Sequence, residues 1–156
     1  MLRVDIRDLD RGPVKTVGEI ESSDPAVAGL GFAFGEPILV SGELQKAGEG
    51  EFLWRGRIHG VVLDECRRCL TDVRQELDVP ADVLFSSDPE AAEDPSVYPL
   101  PVSAAQVDVT AAVREEVALA VSPLVLCRED CAGLCPRCGA DLNAGPCDCA
   151  RSAEPV

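Results

Sequence analysis

Between Pro37 and Phe85 apolar and polar residues alternate with a period of two, the spacing of strands that bury one face. Ile38, Val40 and Leu44 share one face of the first segment, and Leu39, Ser41, Glu43 and Gln45 share the other. Gly48-Glu49-Gly50 supplies a turn. Glu51–Glu65 then sets Phe52, Trp54, Ile58 and Val62 against Arg55, Arg57 and His59 on the opposite face. Beyond Cys69, Val73, Leu77 and Val79 fall together. Strands in this succession predict an antiparallel meander buried on one side. Upstream, Leu2–Leu9 alternates and predicts a first strand, whereas Glu21–Pro37, rich in Gly, Ala and Pro, predicts a loop. Downstream the period changes. Val109, Val113, Val117 and Ala120 recur at helical spacing, which predicts a helix over 109–121, with Asp108 or Thr110 at its cap and Pro123 past its end. Ser86–Ser96 is acidic and proline-punctuated with almost nothing to bury, so a mobile loop is expected there.

Composition narrows the class. Hydrophobic residues make up 46% of the 156 positions but aromatics only 4%, so an aliphatic core is expected. Apolar runs stay well under the roughly 18 residues of a membrane span, and Met1–Pro13 carries charges throughout with no apolar signal-peptide core. A cytoplasmic protein without a membrane partner is expected. The net charge is −14, which argues against general phosphate binding and for solubility and basic protein partners. From Glu51 to Val79 five arginines meet six acids, a balance of −1 that leaves −13 elsewhere, so any nucleic-acid contact belongs in this stretch.

Eight cysteines carry the clearest chemistry: Cys66, Cys69, Cys127, Cys131, Cys135, Cys138, Cys147 and Cys149. In a reducing compartment such spacing points to metal or catalysis rather than disulfides. Cys66/Cys69 and Cys135/Cys138 each form C-x2-C, a knuckle that turns both sulfurs toward one ion about 2.3 Å away. Pro136 stiffens the second knuckle, and Gly139 permits the turn that points amides at sulfur. Cys135, Cys138, Cys147 and Cys149 form one four-sulfur set within a short stretch. Cys66, Cys69, Cys127 and Cys131 form a second, between the hairpin and the segment after the helix. Two closed four-thiolate sites are structural in type. Iron in place of zinc, and a partition joining Cys66/Cys69 to Cys135/Cys138, both remain open. A redox pair would need the strand-to-helix setting of a βαβ unit, which neither knuckle has.

The run from Glu115 through "EEVALAVSPLVLCREDCAGLCPRCGADLN" to "CDC", with "CRRCL" far upstream, resembles the YceD proteins, also called large ribosomal RNA subunit accumulation proteins. The resemblance extends over roughly residues 38–149 and carries little of the segment up to Gly35. It implies a bacterial cytoplasmic protein, with organellar relatives in plants, needed for normal accumulation of large-subunit ribosomal RNA. The family's genes often neighbour that of a small basic large-subunit ribosomal protein. Because relatives do not all carry the whole C-terminal quartet, the resemblance makes the Cys66/Cys69/Cys127/Cys131 site the fold's own and the last quartet an accessory ribbon.

Arg55 and Arg57, with Arg67 and Arg68 in the first knuckle, are the residues that would face RNA phosphates. Their alternative roles are a cross-strand charge ladder with Glu43, Glu76 and Asp78, and charge compensation of the thiolates. Trp54 and Phe52 read as core rather than base-stacking platforms, and Glu115 and Glu116 as a solvated helix face. His59 is the sole histidine and no phosphate or dinucleotide loop is present, so an enzyme or a small-molecule substrate is not expected. The expected fold is α+β: an antiparallel β-meander or partly closed barrel, one packed helix and a C-terminal four-cysteine zinc ribbon. Residues 1–126 would form the β domain, with its acidic loop 86–96 and helix 109–121. Residues 127–150 would form the zinc-binding tail and 151–156 a frayed end. The expected role is non-catalytic support of large-subunit (23S) ribosomal RNA, with that RNA or its precursor particle as partner. The alternative is an acidic zinc-containing adaptor for a basic ribosomal protein.

Overall fold

The computed structural model of the chain describes residues 1–150. Its order is β1 (Arg3–Asp5), α1 (Ile6–Leu9), β2 (Val14–Ile20), β3 (Ala33–Phe34), β4 (Ile38–Gly48), β5 (Glu51–Glu65), β6 (Asp72–Ser86), β7 (Val97–Pro99), β8 (Gln106–Asp108) and α2 (Thr110–Ala120). The expected frayed end at 151–156 lies outside the described residues.

The predicted meander is β4–β5–β6, antiparallel throughout, with β2 added outside β4 and β7 outside β6. β3 continues the line of β4 along β5, pairing Phe34 with Val62. β1 and β8 form a separate two-stranded sheet. The architecture is α+β with open sheets. The large sheet runs as an open path from β2 to β7, and the described residues close no barrel.

Alternation decides which face is buried. Ile38, Val40, Leu44, Trp54, Ile58 and Val62 point to one side and are at most 2% exposed. Helix α2 covers that side, packing on β6 and burying Ala112, Val113 and Val117. Each fully buried valine, leucine or isoleucine here contributes about 1.5–3 kcal/mol by leaving water. Ala120, in the last helical turn, is exposed. The helix runs from Thr110 to Ala120 with Val109, rather than Asp108 or Thr110, at its cap position, and Val109 makes no side-chain cap bond. Asp108 Oδ1 accepts the Thr110 N–H at 2.9 Å, and Val121 is already extended, two residues before Pro123.

Trp54 is fully buried, and its indole Nε1–H donates to Thr16 Oγ1 at 2.8 Å. That bond satisfies both polar groups of the pair inside the core. The indole lies flat over Gly56 and Gly42, where no side chain has room. A Cβ at Gly56 would stand 2.3 Å from Trp54 Cζ2, and one at Gly42 would stand 2.5 Å from the Arg55 carbonyl oxygen.

Several segments depart from the expectation. The alternating Leu2–Leu9 is a strand only to Asp5, because Asp5 Oδ1 caps a helical turn by accepting the Arg7 N–H at 2.9 Å. The irregular stretch Glu21–Pro37 contains the paired strand β3 and a turn at Pro25–Val27 that Asp24 caps. Within the acidic segment 86–96, Ser86 is buried at the end of β6, and a short turn at Ala91–Glu93 leads the chain into β7, parallel to β6.

Candidate metal centres

Two side-chain clusters stand out. Hairpin β5–β6 ends in the knuckle Cys66-Arg67-Arg68-Cys69, and the chain leaving α2 brings Cys127 and Cys131 to it. The four sulfurs lie within 4.8 Å of one another. Cys66 Sγ is 3.7 Å from Cys131 Sγ, and Cys69 Sγ is 3.5 Å from Cys127 Sγ. Four sulfurs placed tetrahedrally about 2.3 Å from one ion stand roughly 3.8 Å apart, so the donor set fits a tetrahedral thiophilic cation. Cys66, Cys69 and Cys131 are buried with Val73, Leu126 and Leu134 around them. Cys135, Cys138, Cys147 and Cys149 form the second group, also within 4.8 Å. The grouping is the one the spacing suggested; the sulfurs of Cys135 and Cys138 lie with those of Cys147 and Cys149 rather than with the first knuckle.

Both knuckles follow one backbone template. In the first, Cys66 N–H donates to Thr71 O at 2.8 Å and Leu70 N–H to Cys66 O at 2.9 Å. In the second, Cys135 N–H donates to Ala140 O at 2.8 Å and Gly139 N–H to Cys135 O at 2.9 Å. The residue after the second cysteine must be left-handed in each, with φ of 61° at Leu70 and 73° at Gly139. Gly139 adopts this freely. Leu70 does not, and its side chain is 58% exposed, so no packing offsets the strain. Leu70→Gly is expected to stabilise the metal-loaded protein by about 0.5–1 kcal/mol, read as a higher urea midpoint at unchanged slope. A lower midpoint would show that the strain relieved is smaller than the freedom glycine adds to the unfolded chain.

The protonation pattern fits sites built for a cation. Burial pushes the Cys66 thiol up, but backbone N–H groups of Cys69, Cys127 and Arg68 outweigh it and bring it down to about 6. Hydrogen bonding with Cys69 pushes Cys127 up to about 12. In the second group the N–H groups of Cys138 and Arg137 bring Cys135 down to about 6, while Cys138 pushes Cys149 up to about 12. Sulfurs this close retain protons between them, and a bound divalent cation displaces those protons.

Asn143 was not singled out from sequence. It sits in the second group's segment, yet its Nδ2–H donates to Cys131 Sγ of the first at 3.4 Å, which lowers the Cys131 thiol. Its Oδ1 accepts the Ala132 N–H at 2.8 Å. Asn143 thus fastens the tail to the first cluster. Thr71, with Oγ1 3.2 Å from Cys69 Sγ, is a second such neighbour. Asn143 has no spacing signature, because its contact arises only once the tail meets the first cluster, whereas Thr71 is a local neighbour two residues from Cys69.

The four arginines all have partners within the chain. Arg55 pairs with Asp82 at 3.1 Å and Arg57 with Asp78 at 2.6 Å, so the ladder on the outer face uses Asp78 and Asp82 rather than Glu43 and Glu76. Arg67 Nε–H donates to Pro123 O at 2.8 Å and Arg68 Nη1–H to Cys131 O at 2.9 Å. Both tie the knuckle to the segment that supplies Cys127 and Cys131, while their charge stands beside the thiols. Trp54 and Phe52 are core residues. Among the described residues no helix is long and apolar enough to cross a membrane.

Fold and clusters together define an open-sheet α+β protein with two four-cysteine groups, one at the tip of its central hairpin and one in its tail. The chain belongs to the YceD family: the family model described as "Large ribosomal RNA subunit accumulation protein YceD" matches residues 54–155. An uncharacterized protein of Mycobacterium tuberculosis is 30% identical over 152 residues, covering 93% of this chain and 72% of the relative. One from Mycobacterium leprae is 27% identical over 151 residues, covering 91% and 68%. A chloroplastic protein of Arabidopsis thaliana, named large ribosomal RNA subunit accumulation protein YCED homolog 1, is 35% identical over 54 residues, covering 35% of this chain and 17% of the relative. No solved structure matches the chain with significance. The family name is that of an accumulation protein, not an enzyme, and it supports a role connected with the ribosome.

Proposed function

We propose that the protein is a non-catalytic, cytoplasmic ribosome biogenesis factor that supports accumulation of large-subunit (23S) ribosomal RNA, with zinc in both four-cysteine sites. The family match over residues 54–155 carries this reading, since it takes in all eight cysteines. Zinc suits closed four-thiolate sites and would act structurally, with no open position for a reacting group. On this reading residues 1–126 form the body and 127–150 a zinc-binding tail that lies against it through Asn143.

The direct contact follows from charge. RNA phosphates would need arginines free to meet them, yet Arg55, Arg57, Arg67 and Arg68 are engaged within the chain, and the net charge is −14. This favours an acidic adaptor that holds a basic ribosomal protein and so sustains the RNA indirectly. A deletion strain is expected to show a lowered ratio of large- to small-subunit RNA, and an unchanged ratio would overturn the assignment. Tagged protein recovered from its own cells is expected to retain a basic ribosomal protein through RNase treatment. Large-subunit RNA recovered only without RNase, with no protein surviving treatment, would move the direct contact to RNA.

A further inference from the structure

The outer edge of β6 is open along most of its length. β5 pairs with β6 from Asp72 to Ser86, whereas β7 covers only Leu84–Ser86 on the other side. Pro80 stands opposite Arg57 in an unbroken register. Proline has no N–H to give a neighbouring strand, so its position points away from β5. By alternation the backbone groups of Asp72, Arg74, Glu76, Asp78 and Asp82 point the same way. All of these residues are exposed, and among the described residues no backbone hydrogen bond reaches the outward groups of 72–78.

Near the first knuckle a cavity of about 610 Å³ lies across β3, β5 and β6, lined by Phe32, Leu63 and Val73, with Asp64, Glu65, Asp72 and Arg74 around it. Those three acids and Glu76 make no ion pair among the described residues. Bare donors and acceptors and the unpaired carboxylates of Asp72 and Glu76 therefore lie along one edge.

We propose that the β6 edge takes an extended, lysine- and arginine-rich segment of a protein partner as an added strand. Strand addition draws affinity from main-chain hydrogen bonds and selectivity from alternate side chains. The acids choose the occupant: nucleic acid is repelled, and a second copy of this chain would set the same carboxylates against themselves. Pro80 and the charged neighbours also keep the edge from pairing with itself. The inference rests on the adaptor reading above and supplies the surface it would use.

The probe is a ten-residue peptide alternating lysine and valine, and its control is the same peptide N-methylated at alternate residues. The first is expected to bind the metal-loaded full chain in low salt and to shift the amide resonances of Arg74, Glu76 and Asp78. Glu76→Pro removes one outward N–H without touching the β5 ladder, so its fold is checked by the unchanged amide pattern of β4 and β5. That substitution is expected to weaken binding about tenfold, the effect of losing one or two hydrogen bonds, and N-methylation, which removes five N–H groups, by more. Equal binding of both peptides, or undiminished binding to Glu76→Pro, would overturn the proposal in favour of charge alone. Shifts confined to other strands, or a dimer whose interface maps to β6, would overturn it too. Normal ribosomal RNA in a Glu76→Pro strain, beside its loss in the deletion strain, would overturn this inference and leave the proposed function standing.

Discussion

Replacing Cys66 and Cys69 together with serine is expected to lower the melting temperature by about 10 °C or more, far more than the same change at Cys135 and Cys138. The first quartet joins parts of the chain that are distant in sequence, since Cys69 and Cys127 are 58 residues apart. Closing a long loop removes much freedom from the unfolded chain, and a structural zinc site returns its binding energy to the fold. The burial of Cys66 and Cys69 adds to the loss, because the smaller serine side chains leave Val73, Leu126 and Leu134 less fully packed. The second quartet closes only a short segment. Its loss is expected to loosen the tail and release Asn143 from Cys131, while the β4–β5–β6 sheet melts almost as before. Circular dichroism melts with metal counted by mass spectrometry check this: two zinc ions per chain are expected, and one in each double variant. Equal melting losses from the two pairs would contradict the division of labour. Absence of metal from anaerobically purified protein would overturn the zinc reading itself.

Gly56→Ala is expected to destabilise the protein by about 3 kcal/mol, although it adds one methyl group. The new Cβ would lie 2.3, 2.7 and 2.8 Å from three atoms of the Trp54 ring. That ring cannot swing aside, being fully buried and held to Thr16 by its Nε1–H. Gly60→Ala is the control. It sits on the same strand and face, but its nearest neighbour would be Ile38 Cγ1 at 3.7 Å, an ordinary contact, so a change within about 0.5 kcal/mol is expected. Urea titrations of the two variants check the pair. Combining Gly56→Ala with Trp54→Leu should recover part of the loss, as coupled neighbours do. Equal effects at Gly56 and Gly60 would show that the tryptophan does not impose the glycine.

What the sequence made legible follows from how local each signal is. Strands β4, β5 and β6 are long and alternate cleanly, so their faces could be assigned from spacing, as could the core roles of Trp54 and Phe52. The two cysteine groups were legible for the same reason: each knuckle is a local signature, and the tail closes on itself. β2 was not singled out, because its inward positions include Thr16 and Gly18, which weaken an apolar stripe. Thr16 is buried only because Trp54 offers it a proton. β1, β3, β7 and β8 are two or three residues long and owe their form to distant partners, as in the pairing of Arg3 with Asp108. No window of neighbouring residues contains that information. The open path of the sheet, in place of a partly closed barrel, is likewise set by how the edge strands meet. Among the arginines, the outward face of Arg55 and Arg57 and the partner Asp78 were readable, but the choice of Asp82 over Glu43 and Glu76 depended on register.

The distance between the halves of the first cysteine group also sets an order of events during synthesis. Cys66 and Cys69 leave the ribosome well before Cys127 and Cys131, by roughly 3–12 s at about 5–20 residues per second. Through that interval the hairpin tip holds two sulfurs with no companions, and only after α2 has emerged can four converge. On the zinc reading, capture of the ion is the latch of the fold. A metal-starved cell would accumulate chains with a formed meander and an unfastened tip, the form most open to proteases.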